Sequence, residues 1–231
     1  MKKVLAGIIL GLMLSSAVYA APLTDYSWGS AQVDFGLGYN CGGANDPWNS
    51  PSLSFGNGIA ANAGMTVGLG SQLAFRARVN FADNLTNTNT SENNVVYATV
   101  NPTLELLWQC IPYERSPVAL AVFGGCQFPF VFDSGGRWPL GNHSAYGIWA
   151  GAQAMFQPMD RVTVFTGAAM GNKSAELMLG AGYSIDKSFD VNIGVNAINY
   201  FPVHKDSSPA LATLNITSIT PYCSLSYRFM L

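Results

Sequence analysis

The sequence predicts an all-β protein, a transmembrane up-and-down antiparallel β-barrel of ten strands. Three observations predict it. Ten segments alternate apolar and polar residues with period two, which gives each strand one greasy and one wet face. Most of these segments run roughly 9–13 residues, the length of a tilted strand crossing a bilayer, whereas strands in soluble proteins average about 5–6. Charged residues make up only 10% of the 231-residue chain, against about 25% in soluble domains.

The chain opens with Met1-Lys2-Lys3, an apolar run from Val4 to about Leu14, and Ser15-Ser16-Ala17-Val18-Tyr19-Ala20. These are the basic, apolar and cleavage regions of an export signal. The apolar run is too short for a spanning helix, which needs about 20 residues. Residues 1–20 are therefore read as a signal peptide cleaved after Ala20, and 21–231 as the barrel domain. Any membrane insertion of the mature chain must then be by strands.

The strand segments follow in order. The first carries Ala31, Val33, Phe35, Leu37 and Tyr39 on its apolar face, and the second Ile59, Ala61, Ala63, Met65, Val67 and Leu69. The third, Leu73 to Phe81, has apolar odd positions and Arg76, Arg78 and Asn80 on the even ones. The fourth runs from Val96 to Trp108 and the fifth from Val118 to Phe132. The sixth runs from Tyr146 to Phe156, the seventh from Val162 to Met170 and the eighth from Ala175 to Ile185. The ninth runs from Phe189 to Ala197 and the last from Pro221 to Leu231. Eight strands would result if the weak seventh and eighth segments were not separate spans. Short turns are expected at Gly70–Gln72, Cys110–Pro117, Pro158–Arg161 and Asp186–Ser188. Long loops are expected at Cys41–Gly58, Ala82–Asn94, Asp133–Ser144 and Ile198–Thr213, with a short link at Gly171–Ser174. Pro102, Pro129 and Pro221 remove ladder donors, and bulges are expected there.

Seven charged residues fall inside strand segments: Asp34, Arg76, Arg78, Glu105, Glu176, Asp190 and Arg228. All seven lie on the polar parity, which indifferent placement would give about once in a hundred. A lipid-facing Arg or Lys at the midplane costs about 2–4 kcal/mol, which explains the segregation and makes these seven a lumen charge network. Arg76, Glu105, Asp190 and Arg228 should lie toward one end and interact, with Glu105 the first partner for Arg76. Aromatics cluster at strand ends, among them Tyr39, Trp108, Tyr146, Tyr183 and Phe189, where they would form interfacial girdles. On the inward parity of segments five to eight, Phe123, Trp149, Met155, Phe165 and Met178 stand among small residues. They form either a narrow apolar groove for a small hydrophobic ligand or the curved wall of a tight barrel.

The closing segment Tyr222-Cys223-Ser224-Leu225-Ser226-Tyr227-Arg228-Phe229-Met230-Leu231 resembles the terminal strand of bacterial outer-membrane β-barrels. That family ends in an alternating strand with a terminal aromatic, usually Phe, which the barrel-assembly machinery reads. Tyr227 and Phe229 match the pattern, and Leu231 stands where Phe is usual. The resemblance implies an outer-membrane location, with lipid and the assembly machinery as partners and the short turns in the periplasm.

Composition bears on function as well. The net charge is −2, or −4 without Lys2 and Lys3. No basic stripe exists, so no nucleic-acid footprint is expected. Cys41, Cys110, Cys126 and Cys223 show no zinc-type spacing; they are read mostly as free apolar residues, with one bridge through Cys41 as the alternative. Cys126 and Cys223 should face lipid on opposite walls. His143 and His204 fall in expected outer loops, as do Trp48 and Trp138. A rim protease or lipid-modifying hydrolase would need an orienting carboxylate and a nucleophile or water beside a histidine, and no spacing indicates one. The expectation is a non-enzymatic barrel without metal or cofactor, with a plugged polar lumen and a structural or surface-interaction role. A narrow channel or a carrier of small hydrophobic molecules is the alternative.

Overall fold

The computed structural model describes residues 21–46, 50–86, 95–113, 116–133, 136–139, 146–201 and 215–231. The expected signal peptide, Trp48, His143 and His204 lie outside them. The chain forms β1 (Ser30–Asp46), β2 (Ser50–Gly70), β3 (Leu73–Thr86), β4 (Val95–Ile111), β5 (Val118–Gln127), β6 (Phe130–Asp133), β7 (Gly136–Pro139), β8 (Gly147–Met159), β9 (Val162–Gly171), β10 (Ser174–Ser184), β11 (Phe189–Tyr200) and β12 (Asn215–Met230). The order around the sheet is β3-β2-β1-β12-β11-β10-β9-β8-β5-β4, and a β3–β4 pairing closes it. β6 prolongs the line of β5 along β4, and β7 pairs outside it as a hairpin strand. Ten antiparallel strands therefore make the wall. β9 and β10 are separate spans, so the count is ten and not eight.

The alternation does what the period-two rule requires. Phe35, Phe75, Leu106, Ile148, Leu179, Ile193 and Leu225 stand exposed on the outer surface, while Asn62, Asn80, Gln127, Gln153, Asn192 and Asn196 are buried inside. An apolar exterior around a polar interior is the construction of an outer-membrane β-barrel. Its aromatics collect at both rims: Tyr39, Phe81, Phe132 and Tyr146 toward the loop end, and Trp108, Phe156, Tyr183, Phe189 and Tyr227 toward the end that holds Ser30 and Leu231. Tyr227 packs on Phe189 with centroids 4.7 Å apart and stacks on Phe229 at 5.6 Å.

Two expectations are corrected. The Cys41–Gly58 connection is not a long loop, because β1 and β2 pair as far as Asp46 opposite Ser50. β12 likewise begins at Asn215, before the apolar alternation starts. Backbone pairing continues beyond the greasy band, where no hydrophobic alternation marks the strand. The prolines also produce gaps rather than bulges. Val100 pairs with Phe130 and Thr103 with Gln127, so register is unchanged across Pro102 and Pro129, and the Phe128 N–H donates to the Pro102 carbonyl at 2.9 Å. Pro221 sits opposite Val195 without a shift. The shifts fall near strand ends, at Ala44/Asp46, Gly68/Gly70, Gln109/Ile111 and Phe156/Met159. There the chain is turning, and an extra residue increases the twist.

Candidate functional site

Arg76 and Arg78 leave β3 on alternate residues, so both enter the lumen one rung apart. Register sets Arg76 opposite Glu105 on β4, and the Arg76 Nε donates to the Glu105 Oε2. The Arg76 Nη1 donates to Gln153 Oε1 at 2.8 Å. Arg78 reaches further across the lumen. Its Nη2 lies 3.1 Å from both Glu105 Oε1 and Glu176 Oε2, its Nη1 donates to Glu176 Oε1 at 3.3 Å, and its Nε donates to Thr103 Oγ1 at 3.2 Å. Two guanidiniums and two carboxylates thus neutralise one another deep in the barrel, as buried charges must. Each guanidinium also lies over an aromatic ring at 4.9 Å, Arg76 over Phe123 and Arg78 over Trp149. Such a contact is worth up to about 2 kcal/mol when desolvated.

The remaining lumen charges sit apart from this quartet. Arg228 Nη2 donates to Asp190 Oδ1 at 2.7 Å. Asp34 has no ion pair within 4.0 Å among the described residues, and its Oδ1 accepts from Gln32 Nε2 at 2.8 Å. The ion pairs therefore form two groups, with Arg78 and Glu176 joining Arg76 and Glu105, and Asp190 with Arg228 separate. At the loop end, Lys173 is fully buried on the turn between β9 and β10, and burial pulls its amine down to about 8.

Phe123, Trp149, Met155, Phe165 and Met178 are all buried inside the barrel. The small residues around them are the surfaces on which they lie. A Cβ on Gly151 would strike the Phe123 ring, one on Gly180 the Phe165 ring, one on Gly167 the Met178 methyl, and one on Gly171 the Trp149 side chain. Glycine on one strand thus receives the large side chain of the next, and a cleft of about 10 Å³ remains beside Phe123, Gly167, Ala169 and Met178, room for about one water.

The lumen also holds a segment that the strand alternation does not mark. Residues 21–26 run into the barrel ahead of β1, with Ala21, Leu23 and Tyr26 buried and Trp28 exposed beyond them. Ala21 packs among Ala119, Met155, Phe165, Met178 and Tyr222. Leu23 and Tyr26 pack against Ala74, Leu107, Phe123, Trp149 and Ala169. Two lumen side chains and the end of β2 hold the backbone: Gln32 Nε2 donates to the Ala21 carbonyl at 2.9 Å, Gln109 Nε2 to the Thr24 carbonyl at 3.3 Å, and the Gly70 backbone N–H to the Tyr26 carbonyl at 2.9 Å. The signal was present in the sequence, since Ala21, Leu23 and Tyr26 are apolar in a segment that no strand explains. A cavity of about 30 Å³ remains, lined by Leu23, Tyr26, Gln32, Asp34, Arg76 and Gln153 among others. One water needs about 10–15 Å³ by this kind of measure, so the space suits a few waters and no larger solute.

The other singled-out residues lie elsewhere. Tyr227 and Phe229 are on the outer surface of the closing strand, and Leu231 is exposed while its N–H donates to the Gly29 carbonyl at 2.8 Å. The four cysteines are free; Cys223 is exposed on β12, half the barrel away from Cys126 on β5. Among the described residues no three His, Cys, Asp or Glu side chains are grouped as metal ligands are.

No protein-family profile and no curated protein sequence matches the chain. Solved structures resemble it distantly. Neisserial surface protein A is 10% identical with a TM-score of 0.43, covering 87% of this chain and 99% of that one. Ail, the attachment invasion locus protein of Yersinia pestis, is 10% identical with a TM-score of 0.40, covering 87% and 99%. The outer membrane protein OprG from Pseudomonas aeruginosa is 8% identical with a TM-score of 0.42, covering 91% and 100%. Likenesses this distant carry no functional role over to the present chain.

Proposed function

We propose that this chain is exported, processed after Ala20 and inserted in the bacterial outer membrane as a sealed barrel with a structural or surface-interaction role. Outer-membrane lipid is its partner along the apolar belt, and the barrel-assembly machinery reads its closing strand at Tyr227, Phe229 and Leu231. The observation that supports the sealed reading is the filled lumen. The Arg76–Arg78–Glu105–Glu176 quartet spans the lumen, and Ala21, Leu23 and Tyr26 of the segment ahead of β1 pack inside the barrel. Phe123, Trp149, Met155, Phe165 and Met178, the residues a carrier of small hydrophobic molecules would use, are covered by that segment or by one another. A ten-stranded wall is also far narrower than the 16–18 strands of an open porin.

Planar-bilayer recording of the refolded mature protein tests the proposal. The intact protein should give no discrete conductance steps, and deletion of residues 21–27 should introduce them. Steps from the intact protein that change with Arg76 or Glu105 substitution would overturn the sealed reading in favour of a narrow channel.

A further inference from the structure

Among the strand acids of the lumen, Asp34 takes part in no ion pair within 4.0 Å in the described residues. The strand acids are Asp34, Glu105, Glu176 and Asp190, and the strand bases are Arg76, Arg78 and Arg228. The arginines make their ion pairs with Glu105, Glu176 and Asp190, and Arg76, which lines the same cavity as Asp34, acts on it from beyond ion-pair distance. Lys173 lies at the opposite mouth. Asp34 is half-buried, and a carboxylate enclosed without a close counter-charge either takes up a proton or draws in a cation; a cation beside Asp34 would hold it ionised.

The backbone nitrogen of Ala21 is in position to supply one. Register makes Asp34, Ser226 and Asp190 neighbours across β1, β12 and β11. Asn192 Nδ2 donates to Ser226 Oγ at 2.9 Å, and Asn192 Oδ1 accepts from the Ala21 nitrogen at 3.2 Å. Gln32 closes the circuit from the other side, because its Nε2 donates both to the Ala21 carbonyl at 2.9 Å and to Asp34 Oδ1 at 2.8 Å. Gly182 leaves the room, since a Cβ there would meet the Asn192 amide and press on the Ala21 methyl. Cleavage after Ala20 turns this nitrogen into an α-amine, whose ordinary pKa of about 7.7–8.0 keeps it largely cationic at neutral pH.

We propose that the α-ammonium of Ala21 is the missing counter-cation of the lumen, bound in a site made by Asn192, Asp34 and Asp190, and that removal of the leader creates the charge that anchors the plug. The site is an intramolecular receptor for a free amino terminus. The proposal rests on processing after Ala20, which the intact mass of the purified protein decides by itself.

Hydrogen exchange of residues 21–31, read by mass spectrometry on the full mature chain in detergent micelles, tests it. Four forms are compared: the free amine, the Nα-acetylated chain, Asp34→Asn, and Asp34→Asn with Nα-acetylation. Removing either charge alone should speed exchange of this segment about tenfold. Removing both should bring it back to within about threefold of the starting protein, because the lumen is again balanced. Acetylation without effect overturns the proposal, and so do two changes whose effects simply add. If the acetylated chain fails to refold, the acetylated Asp34→Asn chain should still fold; its failure also overturns the proposal. Exchange reports docking of the segment and conductance reports sealing, so the two readings fail separately.

Discussion

Replacing Arg78 with methionine should be among the most damaging single changes in the barrel wall. Arg78 is 6% exposed, and its carboxylate partners Glu105 and Glu176 are 0% and 4% exposed. Methionine keeps most of the volume, so the loss is electrostatic rather than a cavity effect. Glu105 retains Arg76, but Glu176 is left with no cation among its described ion pairs. Removing one partner of a buried pair costs about 3–5 kcal/mol. The hydrogen bond to Thr103 and the contact over Trp149 are lost in addition. Urea unfolding of the refolded protein in vesicles, followed by tryptophan fluorescence, measures this. With a urea slope of about 1–3 kcal/mol/M, the midpoint should fall by at least about 1 M. The double variant Arg78→Met with Glu176→Gln should recover about 2 kcal/mol or more, since the stranded charge is gone. A single-variant loss below about 1 kcal/mol, or a double variant no better than the single, would refute the balanced-quartet account.

Two further predictions probe the wall itself. Leu179 lies at the middle of β10 and faces outward, so Leu179→Arg should cost about 2–4 kcal/mol in a bilayer; an unchanged unfolding midpoint in vesicles would deny that this face meets lipid. Gly125 approaches the β4 backbone so closely that a Cβ would collide with the Leu104 carbonyl, whereas a Cβ on its neighbour Gly124 would sit 3.8 Å from the nearest atom. Gly125→Ala should therefore cost about 1–3 kcal/mol by overpacking while Gly124→Ala stays within about 0.5 kcal/mol, and equal melting temperatures for the two would contradict the close β4–β5 approach.

The wall was legible in the sequence because bilayer physics acts on every residue independently. A side chain on the outward parity must be compatible with lipid, so the alternation, the segment lengths and the parity of all seven charges could be read from local pattern alone. The Arg76–Glu105 pair was also within reach, since β3 and β4 are consecutive strands whose inward parities must face each other. Arg78 with Glu176 was not. Those residues sit on β3 and β10, and only the curvature of the closed sheet carries one guanidinium across to both carboxylates. The strands beyond the greasy band escaped sequence reading for the opposite reason. Cys41–Asn45 and Asn215–Ile219 are paired by backbone hydrogen bonds, which leave no hydrophobic period to detect.

The sequence by itself therefore determined an up-and-down wall of ten strands, or eight if its weak segments were not spans, together with its inside and its outside, because each side chain answers separately to the solvent on its own face. Tertiary structure alone decided what fills that wall. Whether Gly151 and Gly180 are empty space or seats for Phe123 and Phe165, and whether Ala21, Leu23 and Tyr26 hang free or close the lumen, depends on which strands closure brings face to face across about ten strands of curvature. Packing is a property of pairs far apart in the chain, and no period in the sequence records it.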